Sequence, residues 1–85
     1  MYYVYKVCDV ATLDELTDND YFIILEKKDI IRKTETGYDL RSINHNARTV
    51  YKKESTDSNI AVTFKGRKVE LDGSTVVQKI KIVII

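Results

Sequence analysis

Apolar residues along the chain recur at every second position far more often than at helical spacing, which predicts strands joined by short polar turns. From Tyr2 to Val10 the alternation puts Tyr3, Tyr5 and Val7 on one face and Val4, Cys8 and Val10 on the other. A strand that is apolar on both faces is expected in the interior of a sheet. The character changes over Ala11 to Asp20, where Thr12 is followed three residues later by Glu15, with Leu13 and Leu16 beside them. This reads as a capping box, the Thr12 hydroxyl accepting from the N3 amide and the Glu15 carboxylate returning to the cap amide. One short helix near residues 12–17 is therefore expected, ended by the polar turn Thr17-Asp18-Asn19-Asp20.

Tyr21 to Leu25 and Ile30 to Thr34 are two β-branched and aromatic runs separated by the polar linker Glu26 to Asp29, and the pattern predicts a hairpin ending near Gly37. Leu40 and Ile43 are spaced i, i+3, so residues 38–46 read equally as a turn of helix or a loop. Thr49 to Lys53 is expected to be a short strand and Glu54 to Asn59 a polar loop. The last third alternates most regularly: Ile60 to Phe64, a turn at Lys65-Gly66-Arg67, Lys68 to Leu71, a turn at Asp72-Gly73-Ser74, and a long strand from Thr75 to Ile85. That order predicts a β-meander. Ile80, Ile82 and Ile84 share one face of the final strand, with Val83 and Ile85 on the other. A tip this apolar is an aggregation hazard if left unpaired, so it is expected to be covered inside the sheet or by another chain.

The pattern thus predicts a mainly β fold, a meander, small barrel or sandwich, with an α+β arrangement as the alternative. Neither internal repeat nor linker composition divides residues 1–85, which read as one small domain. At 85 residues, such a domain buries roughly 60–65 % of the surface its unfolded chain exposes, and its core is small.

Composition narrows the function classes. The formal net charge of +1 gives no global field to draw nucleic acid or an anionic membrane, so any electrostatic partner must be met by local patches. The single cysteine, Cys8, cannot close an intramolecular disulfide, and no cysteine–histidine group has zinc-ligand spacing. The start Met1-Tyr2-Tyr3-Val4-Tyr5-Lys6 lacks the features of a secretory signal and no apolar stretch is long enough to span a bilayer, which points to the cytoplasm or a virion assembled there.

Candidate chemistry is sparse. Cys8 and His45 are the only pair suggesting nucleophilic catalysis; Cys8 fits a strand as a small buried hydrophobe and His45 sits in the polar Asn44-His45-Asn46 turn, so the structural reading is preferred. Asp9, Asp14, Glu15, Asp18 and Asp20 form an acidic stretch, but calcium-loop spacing is missing and carboxylates near a helix start serve its dipole. No phosphate-binding glycine loop or nucleophile elbow occurs. No catalytic residue, metal ligand or cofactor is therefore expected.

Val10-Ala11-Thr12-Leu13-Asp14-Glu15-Leu16-Thr17-Asp18-Asn19-Asp20-Tyr21-Phe22-Ile23-Ile24, followed by Ile30-Ile31-Arg32-Lys33-Thr34, resembles a short module of bacteriophage fibre and other appendage proteins. The resemblance covers residues 10–34 and implies a non-catalytic role in which copies pair with one another in attachment or particle assembly. The leading expectation is a protein–protein assembly or binding module, plausible as a virus-particle component and as a homo-oligomer. Its interface is expected at Tyr2, Tyr3, Tyr5, Ile82, Val83, Ile84 and Ile85, since tyrosine is enriched at contacts. One alternative is a small phage or mobile-element inhibitor of a host enzyme. The other is a nucleic-acid-binding small β-barrel with contacts at Lys52, Lys53, Lys65, Arg67 and Lys68, tyrosines such as Tyr38 and Tyr51 supplying stacking surface; against it, lysines in turns also serve to keep a β-protein soluble.

Overall fold

The computed structural model describes residues 3–44 and 47–84, with the backbone only for residues 3–5, 8 and 84. The fold is mainly β. Its strands are β1 (Tyr3–Thr12), β2 (Tyr21–Ile24), β3 (Ile30–Lys33), β4 (Tyr38–Leu40), β5 (Tyr51–Lys53), β6 (Ile60–Thr63), β7 (Lys68–Glu70) and β8 (Val76–Ile84). Six of them form one antiparallel sheet in the order β1-β8-β2-β5-β6-β7, and β3 and β4 form a separate two-stranded arm. The sheet is open, with β1 and β7 as its edges, so it does not close into a barrel.

The C-terminal strand lies inside the sheet only as far as Ile80, and its Lys81–Ile84 tip is paired on one side alone. β8 pairs with β1 from Tyr3↔Ile84 to Thr12↔Val76 and with β2 from Tyr21↔Ile80 to Ile24↔Val77. Between Val7↔Ile80 and Val10↔Gln78 three steps along β1 answer two along β8, a bulge that falls at Cys8 and Asp9. Beyond Ile80 only β1 continues alongside, so Tyr3–Lys6 and Lys81–Ile84 run on as a two-stranded ribbon.

Both faces of the sheet carry apolar residues, and each has its own cover. On one face Phe22, Ala61 and Val77 are buried beneath Leu13 and Leu16. The latter two come from a 3-10 turn over Leu13–Glu15, which the amides of Leu13 and Asp14 tie to the Thr75 and Gly73 carbonyls. On the other face Ile23, Leu25, Val50 and Ile80 form a second buried cluster, covered by Leu40 and Ile43 of the β4 segment. Burying these nine residues at about 1.5–3 kcal/mol each for the larger ones is what offsets the entropy of ordering so short a chain.

Several expectations are corrected. β1 is an edge strand, not a central one: alternation of side chains reports which faces are covered, whereas position within the sheet plane is decided by backbone pairing. β2 does not form a hairpin with β3, because β8 and β5 occupy both its edges. The chain leaves the sheet at a 3-10 corner, Lys27–Asp29, and β3 turns back onto β4, closed by the Thr34 amide on the Gly37 carbonyl at 2.8 Å. Residues 38–40 are therefore strand, and the spacing of Leu40 and Ile43 reflects shared contact with the core, not a helix. Thr12 does not cap: as the last residue of β1 its hydroxyl donates to Asp14, and no cap bond forms. The meander consists of β5, β6 and β7, while β8 crosses the sheet to the far side of β2.

The corner that separates β2 from β3 is held by one ion pair. Asp29, 5 % exposed, accepts from both terminal nitrogens of Arg48 at 2.6 and 3.0 Å and from the Glu26 amide at 2.8 Å. Arg48 also reaches the Ile24 carbonyl at 3.4 Å, and the Asp29 carbonyl receives the Arg41 amide at 2.9 Å. Four parts of the chain meet there. The Arg48 hydrogen bonds, followed by the Glu26 amide, hold the Asp29 carboxyl below its ordinary 3.8. A depressed carboxyl stabilises the fold above its unfolded value and loses that contribution as the pH falls through the folded one. Asp29→Asn should lower stability by about 3 kcal/mol at neutral pH, as expected for a broken, largely buried pair. In urea titrations the gap to wild type should close as the pH drops below about 4; a gap independent of pH would refute the assignment.

Candidate interaction surfaces

The face of the sheet that carries the β3–β4 arm is only half covered. Cross-strand pairing puts Tyr21 of β2, Lys52 of β5, and Val62 and Lys68 of β6 and β7 side by side on its other half. Phe64, just beyond β6, is 63 % exposed, and its ring centroid lies 5.8 Å from that of Tyr21 at a tilt of 53°. Lys52 Nζ stands 5.5 Å from the Tyr21 centroid, within cation–π range. The β6–β7 turn fixes the backbone behind Phe64: the Thr63 amide donates to the Arg67 carbonyl at 2.9 Å and the Arg67 amide to the Thr63 hydroxyl at 3.1 Å. Gly66 completes it at φ +85°, a conformation that costs any residue with a Cβ. Two open hollows flank Phe64, of about 400 Å³ toward Tyr21 and Lys52 and about 390 Å³ toward Lys65 and Arg67.

The charges around this platform are unequally engaged. Lys68 is paired with Glu54 and Arg48 with Asp29. Lys65 and Arg67 are exposed and enter no ion pair among the described residues. Exposed rings beside unengaged cations can take up a flat, anionic ligand.

A second surface is the outer side of β1, ten residues long and without a strand partner among the described residues. Val7 is 42 % exposed on it, and Val83 38 % on the neighbouring β8. Tyr3 and Tyr5 stand in register with Ile84 and Ile82, so the structure brings these expected interface positions together in one ribbon. Tyr2 and Ile85 lie outside the described residues. An open groove of about 880 Å³ runs between β1 and the arm, where Arg32 and Asp39 neutralise each other at 2.6 Å.

Of the expected nucleic-acid contacts, Lys52, Lys65, Arg67 and Lys68 fall on the half-open face, but Lys53 does not. It points to the opposite face, 3 % exposed, and its ammonium donates to the carbonyls of Leu13 and Leu16 at 3.1 Å and of Thr56 at 3.0 Å. It pins the covering turn to the sheet and is a structural residue. Tyr51 likewise faces the core, stacked on Phe22 at 5.9 Å, and Tyr38 lines the groove. Phe64 and Tyr21 went unrecognised in the sequence, since alternation places Phe64 with Ile60 and Val62 on one face without telling whether that face is covered. The signal available was an aromatic residue directly before a basic turn.

His45 and the side chain of Cys8 lie outside the described residues. Asp14, Asp18 and Asp20 serve the turn: Asp18 bonds Thr56, and Asp20 accepts from the Thr17 amide at 2.9 Å. Among the described residues no group of three or more His, Cys, Asp or Glu side chains is placed to hold a metal ion. No helix among them is long and apolar enough to cross a membrane. No protein-family model, curated protein or solved structure matches the chain.

Replacing Lys53 by methionine keeps the aliphatic stem but strands the carbonyls it serves. The loss should be about 3 kcal/mol, at roughly 1–3 kcal/mol for each buried acceptor left unpaired. Equilibrium denaturation of Lys53→Met should show it as a lowered midpoint with an unchanged slope, and an unchanged midpoint would mean that the ammonium is dispensable.

Proposed function

We propose that this chain is a non-enzymatic assembly module that joins a second copy of itself by strand addition at β1. The single observation behind this reading is the open ten-residue edge of β1. Such an edge offers a row of backbone donors and acceptors to another strand. Its sequence is self-complementary about Val7. If the bulged pair Cys8–Asp9 counts as one step, as it does against β8, a two-fold axis at Val7 sets Lys6 against Asp9 of the other copy. The same axis sets Tyr5 against Val10, Val4 against Ala11, and Tyr3 against Thr12. Opposite charges and β-branched or aromatic pairs facing one another each favour antiparallel pairing. A bulge on an edge strand commonly guards against such pairing; here the extra residue keeps symmetric positions on the same face, which an unbulged strand centred between residues would not do.

The resemblance of residues 10–34 to fibre and appendage modules supports the same reading, because it implies pairing between copies. A place in a virus particle and residence in the cytoplasm or virion are parts of this proposal. Edge-to-edge pairing about a two-fold axis makes a closed, isologous contact, and two-fold dimers are the commonest oligomers among soluble proteins.

Val7→Lys places two like charges at the symmetry axis while leaving a side chain that is already 42 % exposed in solvent. Sedimentation velocity should find wild type as a dimer and Val7→Lys as a folded monomer, with at least a ten-fold higher dissociation constant. Wild type that stays monomeric at millimolar concentration, or a dimer indifferent to Val7→Lys, would overturn the proposal.

A further inference from the structure

We infer that the half-open sheet face around Phe64 binds single-stranded nucleic acid, one base stacking on the Phe64 ring and the adjoining phosphates meeting Lys52, Lys65 and Arg67. This surface is separate from the β1 edge and stands or falls independently of self-assembly.

Three observations converge. The first is the exposed ring itself: a phenylalanine 63 % exposed at the end of an alternating strand buries little for the fold, yet its orientation is fixed by the turn behind it and by Tyr21 at 5.8 Å. Presenting a flat apolar surface in a fixed pose is what stacking on an unpaired base requires, and every base has a face to offer. The second is charge. Lys52, Lys65 and Arg67 line the hollows beside the ring, and Glu54, which lines the first of them, is paired with Lys68. Asp18 lines the same hollow, and Glu70, two residues beyond Lys68 on the same face of β7, is a further acid of this face. A chain with a net charge of only +1 thus places the cations Lys65 and Arg67, which enter no ion pair among the described residues, beside the aromatic side chain that is most exposed among those residues. The third is shape. The hollows of about 400 and 390 Å³ lie on either side of Phe64, so a strand can cross the ring with backbone on both sides.

A single strand fits this surface better than a duplex. Major-groove reading needs a protruding helix or ribbon, and a stacked duplex withholds its base faces; splayed bases expose them. An acidic protein would satisfy the cations but leave the ring without a flat partner.

The chain has no tryptophan, so Phe64→Trp installs a lone fluorophore at the stacking position. Titrating the full chain with fifteen-nucleotide oligothymidylate and oligouridylate, the inference expects quenching of that tryptophan together with saturable anisotropy of labelled oligomer. Phe64→Ala should weaken binding by about five- to a hundred-fold, the worth of one stacked base. Arg67→Glu should weaken it further, while Lys33→Glu on the arm, which lines neither hollow, should not. With three phosphates neutralised, log affinity should fall with log salt at a slope of about −2, or roughly fifteen-fold between 50 and 200 mM. Absence of binding at 100 μM oligomer, binding unaffected by Phe64→Ala, or equal competition by polyglutamate would overturn it, the last assigning the cations to an acidic protein.

Discussion

The simultaneous pairing of β8 with β1 on one side and β2 on the other is the constraint on which the remaining structure depends. It joins positions 3–12 to positions 76–84, so the pairing of longest range in sequence is what carries β8 into the sheet beside β2. Val77 and Ile80 send side chains to opposite faces, and each belongs to one of the two buried clusters. Removing β8 would therefore leave Leu13 and Leu16 without a floor on one side, and Leu40 and Ile43 without one on the other. Because β8 and β5 already take both edges of β2, the following segment has no place in the sheet. It becomes the β3–β4 arm, held at its root by Asp29 and Arg48.

That arrangement also settles which surfaces remain for other molecules. Covering one face with the Leu13–Leu16 turn, and half of the other with the arm, leaves the Tyr21–Phe64 half open. Threading the final strand inward leaves β1 outermost. The bulge at Cys8–Asp9 gives this edge its symmetric pattern, and the β6–β7 turn gives the open face its fixed aromatic ring. Under the proposed function the two surfaces do different work: the edge joins copies, and the face, repeated on each copy, presents rings and cations along the assembly. Lys53 illustrates how easily charge misleads on a chain this small, because an ammonium from a basic doublet closes the core while its neighbour Lys52 faces solvent.

The mainly β class was legible because alternation at Tyr3–Val7, Ile60–Phe64 and Ile80–Ile84 is regular, and glycines and polar clusters mark the turns. The Ile82–Ile84 tip, expected to be covered, is paired with β1 on one side only, because β2 begins at Tyr21 opposite Ile80 and extends no further along β8. Pairing partners were not legible, since adjacency in sequence favours β2 with β3 and β7 with β8, whereas the fold is decided by which edges the long terminal strands occupy. The Thr12–Glu15 spacing suggested a capping box because it matches a local hydrogen-bond rule; the backbone of Thr12 is instead committed to β1. Phe64 was visible as a strand residue but not as a surface one, for exposure of a face depends on what packs over it from elsewhere in the chain. Lys52 was legible as a surface cation, but its seat over Tyr21 depends on a pairing that only the folded sheet creates.

Native-state amide hydrogen exchange tests the central role of β8 most directly, since protection reports which backbone groups are bonded and how much of the fold must open to release them. The account predicts that amides of Val77 to Ile80 exchange only through global unfolding and are the slowest in the molecule, with those of the short edge strand β7 much faster. Val77–Ile80 amides that exchange as readily as those of β7 would contradict it.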